Sequence, residues 1–210
     1  MQKGSRIIVD WDGTITRRDT LHMVVEKFGD PQVFSKMEGG LGRRALSLEE
    51  VIRSEFATLT APLEEVVHFL QETVTLRAGF RRFNERFAPE ITVLSSGFIE
   101  LIEPVMQREQ LTFPLIANRL EPAPNGWRVI WTEKRRCDIC GESCKRMRVI
   151  AGTRPVLYVG DGYSDWCGAQ SADRIFARAT LARLLKERGI PFTPFETFDE
   201  ITAALEEPCE

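Results

Sequence analysis

The apolar positions of the chain follow two alternating patterns. Short apolar runs bounded by polar or turn residues are typical of buried strands. Five such runs predict strands over 6–9, 91–94, 113–117, 156–159 and 174–177. Between most of these runs, apolar residues recur at the spacing of a helix. Because strand and helix alternate along the chain, we predict an α/β fold, with a Rossmann-like, mostly parallel sheet and helices on both faces.

One long segment interrupts this alternation. Residues 16–76 carry helical patterns and no strand signal. The string Ser47-Leu48-Glu49-Glu50 has the spacing of a capping box at the start of one helix, and Thr60 is predicted to start the next helix. We therefore predict an all-helical cap over 16–76, inserted into a core formed by residues 1–15 and 77–210.

Local signals predict further boundaries in the core. Asn125-Gly126 lies between two segments that contain apolar residues, and it favours the turn of a small β-hairpin. Helices are predicted over 77–87 and 145–150. Thr180 and Thr197 are expected to cap the last two helices of the chain.

Two acidic strings directly follow predicted strands. Asp10-Trp11-Asp12-Gly13-Thr14 comes after the first strand, and Gly160-Asp161-Gly162-Tyr163-Ser164-Asp165 comes after the fourth. Carboxylates crowded in one place raise the free energy of a site unless a cation or substrate compensates. Ligands of parallel sheets bind beyond the carboxyl ends of the strands. The strings therefore predict a Mg²⁺ site that handles phosphate, and the predicted metal residues are Asp10, Asp12, Asp161 and Asp165.

The first string suits the hydrolysis of a phosphate monoester. Asp10 is predicted to be the nucleophile, forming an aspartyl-phosphate. Asp12 is predicted to protonate the leaving alkoxide and then to activate water. Gly13 allows the chain to turn tightly around phosphate. The alternative is an Asx turn after an edge strand, which does not explain why a second acidic string follows another strand.

A phosphate-binding set is predicted beside these carboxylates. Ser95, at the end of the second strand, is expected to hold a phosphoryl oxygen together with the backbone at Gly97, and Ser96 is the competing hydroxyl. The alternative role for Ser95 is to cap the following helix. Lys145 is expected to neutralise the phosphate and restrain the carboxylates. Arg146 and Arg148 lie close to it in the sequence, and the alternative is that any of these three residues is a surface charge.

Composition narrows the class of protein. The 210 residues are enough for one substantial core with a smaller inserted unit, and the 43% hydrophobic and 28% charged content is ordinary for a globular protein. A formal net charge of −3 argues against a nucleic-acid partner. No apolar run approaches the roughly 20 residues that span a membrane, and residues 1–6 lack the features of a signal peptide. We expect a cytoplasmic protein that acts on a small phosphorylated metabolite, with no nucleic acid or membrane partner.

Three of the five cysteines are clustered as Cys137-x₂-Cys140-x₃-Cys144. A disulfide framework is not expected in a cytoplasmic chain of this length. The spacing would let three thiolates bind zinc, with Cys167 or a carboxylate as the fourth ligand. The preferred interpretation is that reduced cysteines order a loop carrying Lys145, and the zinc alternative stays open.

Taken in order, the motifs resemble those of the haloacid-dehalogenase-like phosphatases. The match consists of the 10–14 string, Ser95, Lys145 and the 160–165 string. The resemblance implies Mg²⁺-dependent hydrolysis through an aspartyl-phosphate intermediate. The helical insert is similar to the cap of the phosphoserine-phosphatase-like branch, which closes over the site and selects the substrate.

A finer resemblance concerns the substrate. The stretches 40–50, 140–145 and 176–192 are similar to phosphatases of methionine salvage, which act on 2-hydroxy-3-keto-5-methylthiopentenyl-1-phosphate. Phosphocholine/phosphoethanolamine phosphatases also have cysteines before the motif lysine, so their substrates are an alternative. Phosphoserine is a further alternative, but this chain has Gly13 where phosphoserine phosphatase usually has serine, and Asp19 where it has glutamate.

Residues of the insert are expected to set specificity. Polar residues at its entry are candidates for contacting the far end of the substrate: Arg17, Arg18, Asp19 and His22. Met23, Phe34 and Met37 are candidates for an apolar pocket, although the same pattern is typical of helix packing. The non-enzymatic alternative is a zinc-stabilised binding or regulatory protein that keeps the fold without turnover.

Overall fold

The structure, a computed structural model, describes residues 5–42 and 46–206. Its strands form one seven-stranded sheet in the order β4-β3-β2-β1-β5-β6-β7. They are β1 (Arg6–Val9), β2 (Ile91–Phe98), β3 (Leu115–Glu121), β4 (Arg128–Ile130), β5 (Val156–Gly160), β6 (Arg174–Ala177) and β7 (Thr193–Pro194). Neighbouring strands are parallel except β3 and β4, which form the predicted antiparallel hairpin. The predicted α/β class with a mostly parallel sheet is confirmed.

The helices of the described residues pack around this sheet. They are α1 (Thr20–Phe28), α2 (Pro31–Gly42), α3 (Leu48–Phe56), α4 (Leu63–Thr73), α5 (Phe80–Phe87), α6 (Ile99–Arg108), α7 (Arg146–Ile150), α8 (Trp166–Ala169), α9 (Ala179–Glu187) and α10 (Phe198–Glu206). None of these helices combines the length and the apolar character needed to cross a bilayer.

Apolar side chains cover both faces of the sheet. Ile7 and Val9 of β1 belong to a large cluster that also contains side chains from α1, α3, α4, α5 and α6. Ile8, between them, belongs to a second cluster with Val149 of α7 and Leu185 of α9. Successive residues of a strand point to opposite faces, so one short strand contributes to both clusters and is held centrally in the molecule.

The segment 16–76 contains α1 to α4. Within its described residues the strand pairing consists of one antiparallel bridge between Thr16 and Leu76, which joins the two ends of the segment. The capping box of Ser47–Glu50 is confirmed, with the Glu50 N–H donating to Ser47 Oγ (3.2 Å) and the Ser47 N–H to Glu50 Oε2 (2.8 Å). Residues 43–45, inside the 40–50 stretch used above, lie outside the described residues. The division into core and cap stays a prediction.

The predicted start of α4 was wrong. The helix begins at Leu63, with Pro62 as its first flanking residue, and not at Thr60. Proline disfavours helical backbone in the residue before it. Ala61 therefore cannot easily continue a helix that starts at Thr60.

The predicted cap of α9 was also wrong, whereas that of α10 was right. α9 begins at Ala179 after Arg178, so Thr180 lies inside its first turn. The backbone N–H of Glu200, in the first turn of α10, donates to the hydroxyl of Thr197 (3.4 Å). Thr180 is the second residue of α9, and Thr197 directly precedes α10. The local sequence pattern did not distinguish a threonine inside the first turn from a capping threonine.

Candidate active site

Two adjacent strands, β1 and β5, end at one place beside β2. β1 pairs in parallel with β2 on one side and with β5 on the other. Asp10 directly follows β1, and its N–H donates to the carbonyl of Val159 in β5 (2.9 Å). The carboxylate oxygens of Asp10, Asp161 and Asp165 lie within 4.8 Å of one another, and within the described ranges they form the one such all-carboxylate group. The structure therefore brings together the two acidic strings.

Residues 11–15 form a wide turn that accommodates the second string. Gly13, inside this turn, has a φ of 72°. A Cβ atom at Gly13 would lie 3.0 Å from the Cγ atom of Asp161 and would overlap its carboxylate oxygen. The hydroxyl of Thr14 donates to Asp161 Oδ1 (2.9 Å). Glycine at position 13 thus lets the Asp161 carboxylate approach the backbone of the first string.

Arg77 binds the backbone of this turn, and sequence reasoning missed it. The segment was predicted to be helical, but α5 begins only at Phe80, and the Arg77 guanidinium turns inward. It donates to the carbonyls of Thr14 (2.8 Å) and Gly13 (2.6 Å). Arg178 donates to the same Gly13 carbonyl (3.2 Å). No local pattern marks these contacts, because each joins residues far apart in the sequence.

Lys145 lies in the acidic group, as the sequence predicted. Its side chain is only 4% exposed, at the residue before α7. The ammonium donates to Asp10 Oδ1 and to Asp165 Oδ1 (2.7 Å). These two carboxylates raise the pKa of Lys145 above its ordinary value, although burial acts in the opposite direction. The lysine is therefore a permanent positive charge beside Asp10.

Asp165 is fully engaged within the protein. Its Oδ1 atom also accepts from the hydroxyl of Tyr158 (2.7 Å). Its Oδ2 atom accepts from the backbone N–H groups of Asp161 and Gly162 (3.0 Å each). Asp165 therefore shapes the second string and positions Lys145. Its predicted role at the metal site, as a ligand through water or as a residue that orients the other ligands, stays a prediction.

Asp12 is held beside the second strand. Its Oδ1 atom accepts from the backbone N–H (3.0 Å) and the hydroxyl of Thr20. Its Oδ2 atom accepts from the hydroxyl of Ser95 (3.2 Å). Burial, followed by the nearby charge of Asp19, raises the pKa of Asp12 to about 7. A carboxyl group with this pKa exchanges its proton near neutral pH. Because Asp12 is not in the 4.8 Å group, its metal role also stays a prediction.

The residues after Leu94 continue the strand instead of ending it. β2 runs through Ser95, Ser96 and Gly97 to Phe98, with an irregular register before its end. The N–H of Gly97 donates to Ser95 Oγ (2.8 Å), so this donor is used within the strand. Ser95 thus contacts Asp12, whereas Ser96 lines the cleft described below.

The acidic group carries more negative than positive charge. Burial, followed by the charge of Asp165, raises the pKa of Asp10 well above its usual range, despite Lys145. Burial and Asp165 also raise the pKa of Asp161 to about 7. One ammonium therefore faces three carboxylates in a buried space, which is unfavourable unless another cation is bound.

The donor set fits Mg²⁺. This ion prefers oxygen ligands and is commonly bound by one or two carboxylates together with substrate phosphate. Asp10 and Asp161 supply carboxylates on adjacent strand ends, while Asp165 fixes the backbone that carries Asp161. The ion would balance the excess negative charge described above.

A cleft of about 560 Å³ opens from this acidic group towards the helical segment. Asp10, Asp12 and Asp161 line its floor, and Asp19 and His22 line it near α1. Its apolar lining includes Leu21 of α1 and, from α3, Leu48, Val51 and Ile52. The apolar wall therefore comes mainly from α3.

Other predicted specificity residues have different roles. Met23 lies in the main apolar cluster and Phe34 packs against it, so they stabilise the helices. Arg18 is exposed and pairs with Glu26 (3.0 Å). The helix-packing interpretation of these apolar residues was the right one.

The four described cysteines form one cluster, and none of them lines the cleft. The sulfur atoms of Cys137, Cys140, Cys144 and Cys167 lie within 4.8 Å of one another, and none is in a disulfide. Sequence reasoning named all four, but it could not place Cys167 beside the other three.

Comparison with solved structures finds proteins that share this fold. A phosphoserine phosphatase carrying an analogue of its phospho-aspartyl intermediate superposes with a TM-score of 0.73 at 20% identity, covering 97% of this chain and 99% of that one. A substrate-bound phosphoserine phosphatase complex gives a TM-score of 0.72 at 19% identity, covering 97% and 99% of the two chains. At these identities the likeness establishes the fold.

Sequence comparison identifies more specific relatives, although no protein-family model matches the chain. A 2-hydroxy-3-keto-5-methylthiopentenyl-1-phosphate phosphatase of Exiguobacterium sp. is 29% identical over 96% of this chain and 97% of its own length. The protein of the same name from Bacillus cereus is 28% identical over 95% of both chains. The predicted resemblance to haloacid-dehalogenase-like phosphatases, with methionine-salvage enzymes among the similar proteins, is confirmed.

Proposed function

We propose that the protein is a Mg²⁺-dependent phosphatase that hydrolyses a small phosphate monoester through an aspartyl-phosphate on Asp10. One observation carries this proposal. Asp10 and Asp12 line the floor of one cleft, the first paired with a buried lysine and the second tuned to exchange a proton near neutral pH. A nucleophile and an acid–base group side by side are what phosphoryl transfer to a carboxylate requires.

The hydrogen bonds of Asp10 support a choice of attacking atom. Asp10 Oδ1 accepts from Lys145, whereas Oδ2 has no hydrogen-bond partner among the described residues. Oδ2 therefore attacks phosphorus, and the bond from phosphorus to the ester oxygen breaks. Lys145 lowers the pKa of Asp10, against the larger effect of burial, and reduces the repulsion between Asp10 and the phosphoryl group. A bound Mg²⁺ would supply further positive charge against the carboxylates and the phosphoryl oxygens.

Asp12 moves the proton in both halves of the reaction. In its protonated form it donates to the leaving alkoxide as the ester bond breaks. The resulting carboxylate then takes a proton from the water that attacks the phospho-Asp10, which releases phosphate and restores both side chains. Thr20 and Ser95 fix the orientation of Asp12 for this exchange.

The proposed substrate is 2-hydroxy-3-keto-5-methylthiopentenyl-1-phosphate. Support comes from the names of the relatives, which match nearly the whole length of this chain. The apolar lining of Leu21, Leu48, Val51 and Ile52 suits a methylthio tail, because burying apolar groups there is favourable. Phosphocholine, phosphoethanolamine and phosphoserine have charged groups at the corresponding end.

The test is a Mg²⁺-dependent phosphate-release assay over a panel that contains the methylthio ester and the three charged esters. We expect the methylthio ester to have the highest kcat/KM. Asp10→Asn should lower its turnover by roughly 10³-fold or more, whereas Asp199→Asn, at an exposed ion pair with Arg82, is the matched control. If Asp10→Asn retains activity, the mechanism is wrong. If another ester is preferred, only the substrate is wrong.

A further inference from the structure

The cysteine cluster has the dimensions of a metal site. Cys137 Sγ and Cys167 Sγ are 3.8 Å apart. A disulfide would require about 2.05 Å. Tetrahedral zinc with Zn–S bonds of about 2.3 Å places its sulfur atoms roughly 3.8 Å from one another. The two remaining sulfurs, of Cys140 and Cys144, lie within 4.8 Å of all the others, so four ligands surround one point.

The local turn presents the first two sulfurs on the same side. The N–H of Gly141 donates to the carbonyl of Cys137 (2.8 Å), and the N–H of Cys137 donates to the carbonyl of Glu142 (2.9 Å). Gly141 has a φ of 73°, which favours glycine at this position. The N–H of Ile139 points at Cys137 Sγ (3.4 Å), and such donors stabilise a thiolate. This compact turn lets a Cys-x₂-Cys pair reach one ion.

The surrounding loop buries few side chains, although Ser143 and Arg136 bind Glu49. Residues 131–145 connect β4 to α7 without helix or strand, and only Cys137 and Lys145 are buried among them. Ile139 is 69% exposed. Irregular connections of this length are uncommon in compact domains. Reduced cysteines would contribute little apolar burial here, because Cys140 is exposed and Cys144 only half-buried.

We propose that Cys137, Cys140, Cys144 and Cys167 bind one structural Zn²⁺ as four thiolates. Each thiol releases its proton when the ion binds, and four protein ligands close the coordination sphere, as in other structural zinc sites. No step of the proposed hydrolysis uses this ion. The zinc proposal can therefore be tested independently of the proposed function.

The zinc would join the two segments that position the catalytic charges. Cys144 directly precedes Lys145, and Cys167 follows Asp165 by two residues. Lys145 and Asp165 form the buried ion pair described above. A metal cross-link between their neighbours would fix the irregular 131–145 loop against α8.

The first experiment measures metal in the full chain, produced with zinc in the medium and purified under reducing conditions. We expect about one zinc per chain, retained after exchange into excess Mg²⁺. Replacement by Co²⁺ should give strong thiolate-to-metal charge-transfer absorption. The same absorption is expected in Asp161→Asn, because the carboxylate site is separate from the cysteines.

Two serine variants locate the ion. Cys140→Ser removes the exposed ligand and should lose most of the zinc and the cobalt absorption. Cys209→Ser, at the fifth cysteine, which lies outside the described residues, is the matched control and should keep both. Wild-type protein that contains no zinc and whose thiols all react rapidly with a thiol reagent would overturn the proposal. So would iron in place of zinc, a disulfide within the cluster, or zinc that leaves with Asp161→Asn but stays in Cys140→Ser.

Discussion

Single residues set how closely the two acidic strings approach. At Gly13, a methyl group would overlap the Asp161 carboxylate, and the φ of 72° is strained for any other residue. We expect Gly13→Ala to lower kcat at least tenfold and to reduce the free energy of unfolding by about 1–2 kcal/mol. Gly189→Ala is the control, since Gly189 also has a positive φ (65°) but nothing within 4 Å of its Cβ position. Equal loss of activity in both variants would mean that backbone strain alone is responsible.

Arg77 acts through the backbone that carries Asp12. Its guanidinium fork reaches the carbonyls of Gly13 and Thr14 together, and a lysine ammonium cannot reproduce this paired geometry. We expect Arg77→Lys to lower kcat more than it raises KM and to reduce the free energy of unfolding by about 1–3 kcal/mol. Steady-state kinetics and denaturant unfolding measure the two effects. Arg82→Lys, at an exposed ion pair, should change neither, and an Arg77→Lys variant with unchanged kcat would contradict the positioning role.

Asp10 and Arg77 differ in whether a local sequence pattern marks their role. Asp10 and Asp161 could be predicted because each acidic string follows an apolar strand, and strand ends of a parallel sheet meet. Arg77 could not be predicted, since its partners lie 63 and 64 residues away and no local pattern marks them.

At the scale of elements, α3 forms the apolar wall of the cleft. Leu48 lies at its first turn and lines the cleft, whereas Leu63, at the first turn of α4, is not among the residues lining it. We expect Leu48→Ala to raise KM for the methylthio ester roughly tenfold, the usual scale for loss of an apolar pocket contact. The KM for phosphoethanolamine should change little, and Leu63→Ala should leave both values unchanged. A parallel rise for both esters would argue against the apolar wall as a specificity element.

Elements were predictable where several signals coincide. The central strands combine continuous apolar runs with acidic ends, and the capping box of α3 combines a serine with a glutamate at the right spacing. β7 was missed because it consists of only Thr193–Pro194, at the edge of the sheet. Proline is tolerated in such edge strands but gives no strand signal.

For the whole molecule, the buried carboxylates make stability depend on pH and on metal. Burial raises the pKa values of Asp12 and Asp161 to about 7, from ordinary values near 4 in the unfolded chain. As pH rises from about 4 to 8, the folded state must therefore release protons that the unfolded state has already lost. The contribution of Asp12 and Asp161 to the free energy of unfolding is fully present below about pH 4 and is lost as pH rises through 7.

We therefore expect the metal-free protein to have a lower free energy of unfolding at pH 8 than at pH 6. Saturating Mg²⁺ should reduce this difference, because the ion favours the ionised carboxylates in the folded state. Asp161→Asn, which removes one of the titrating groups, should show a smaller pH effect than the wild type without metal. Denaturant unfolding at the two pH values, with Mg²⁺ or with a chelator, measures these differences. A metal-free wild type that is more stable at pH 8 would mean that folding does not raise the pKa values of these carboxyl groups. The charge argument for a bound cation would then fail.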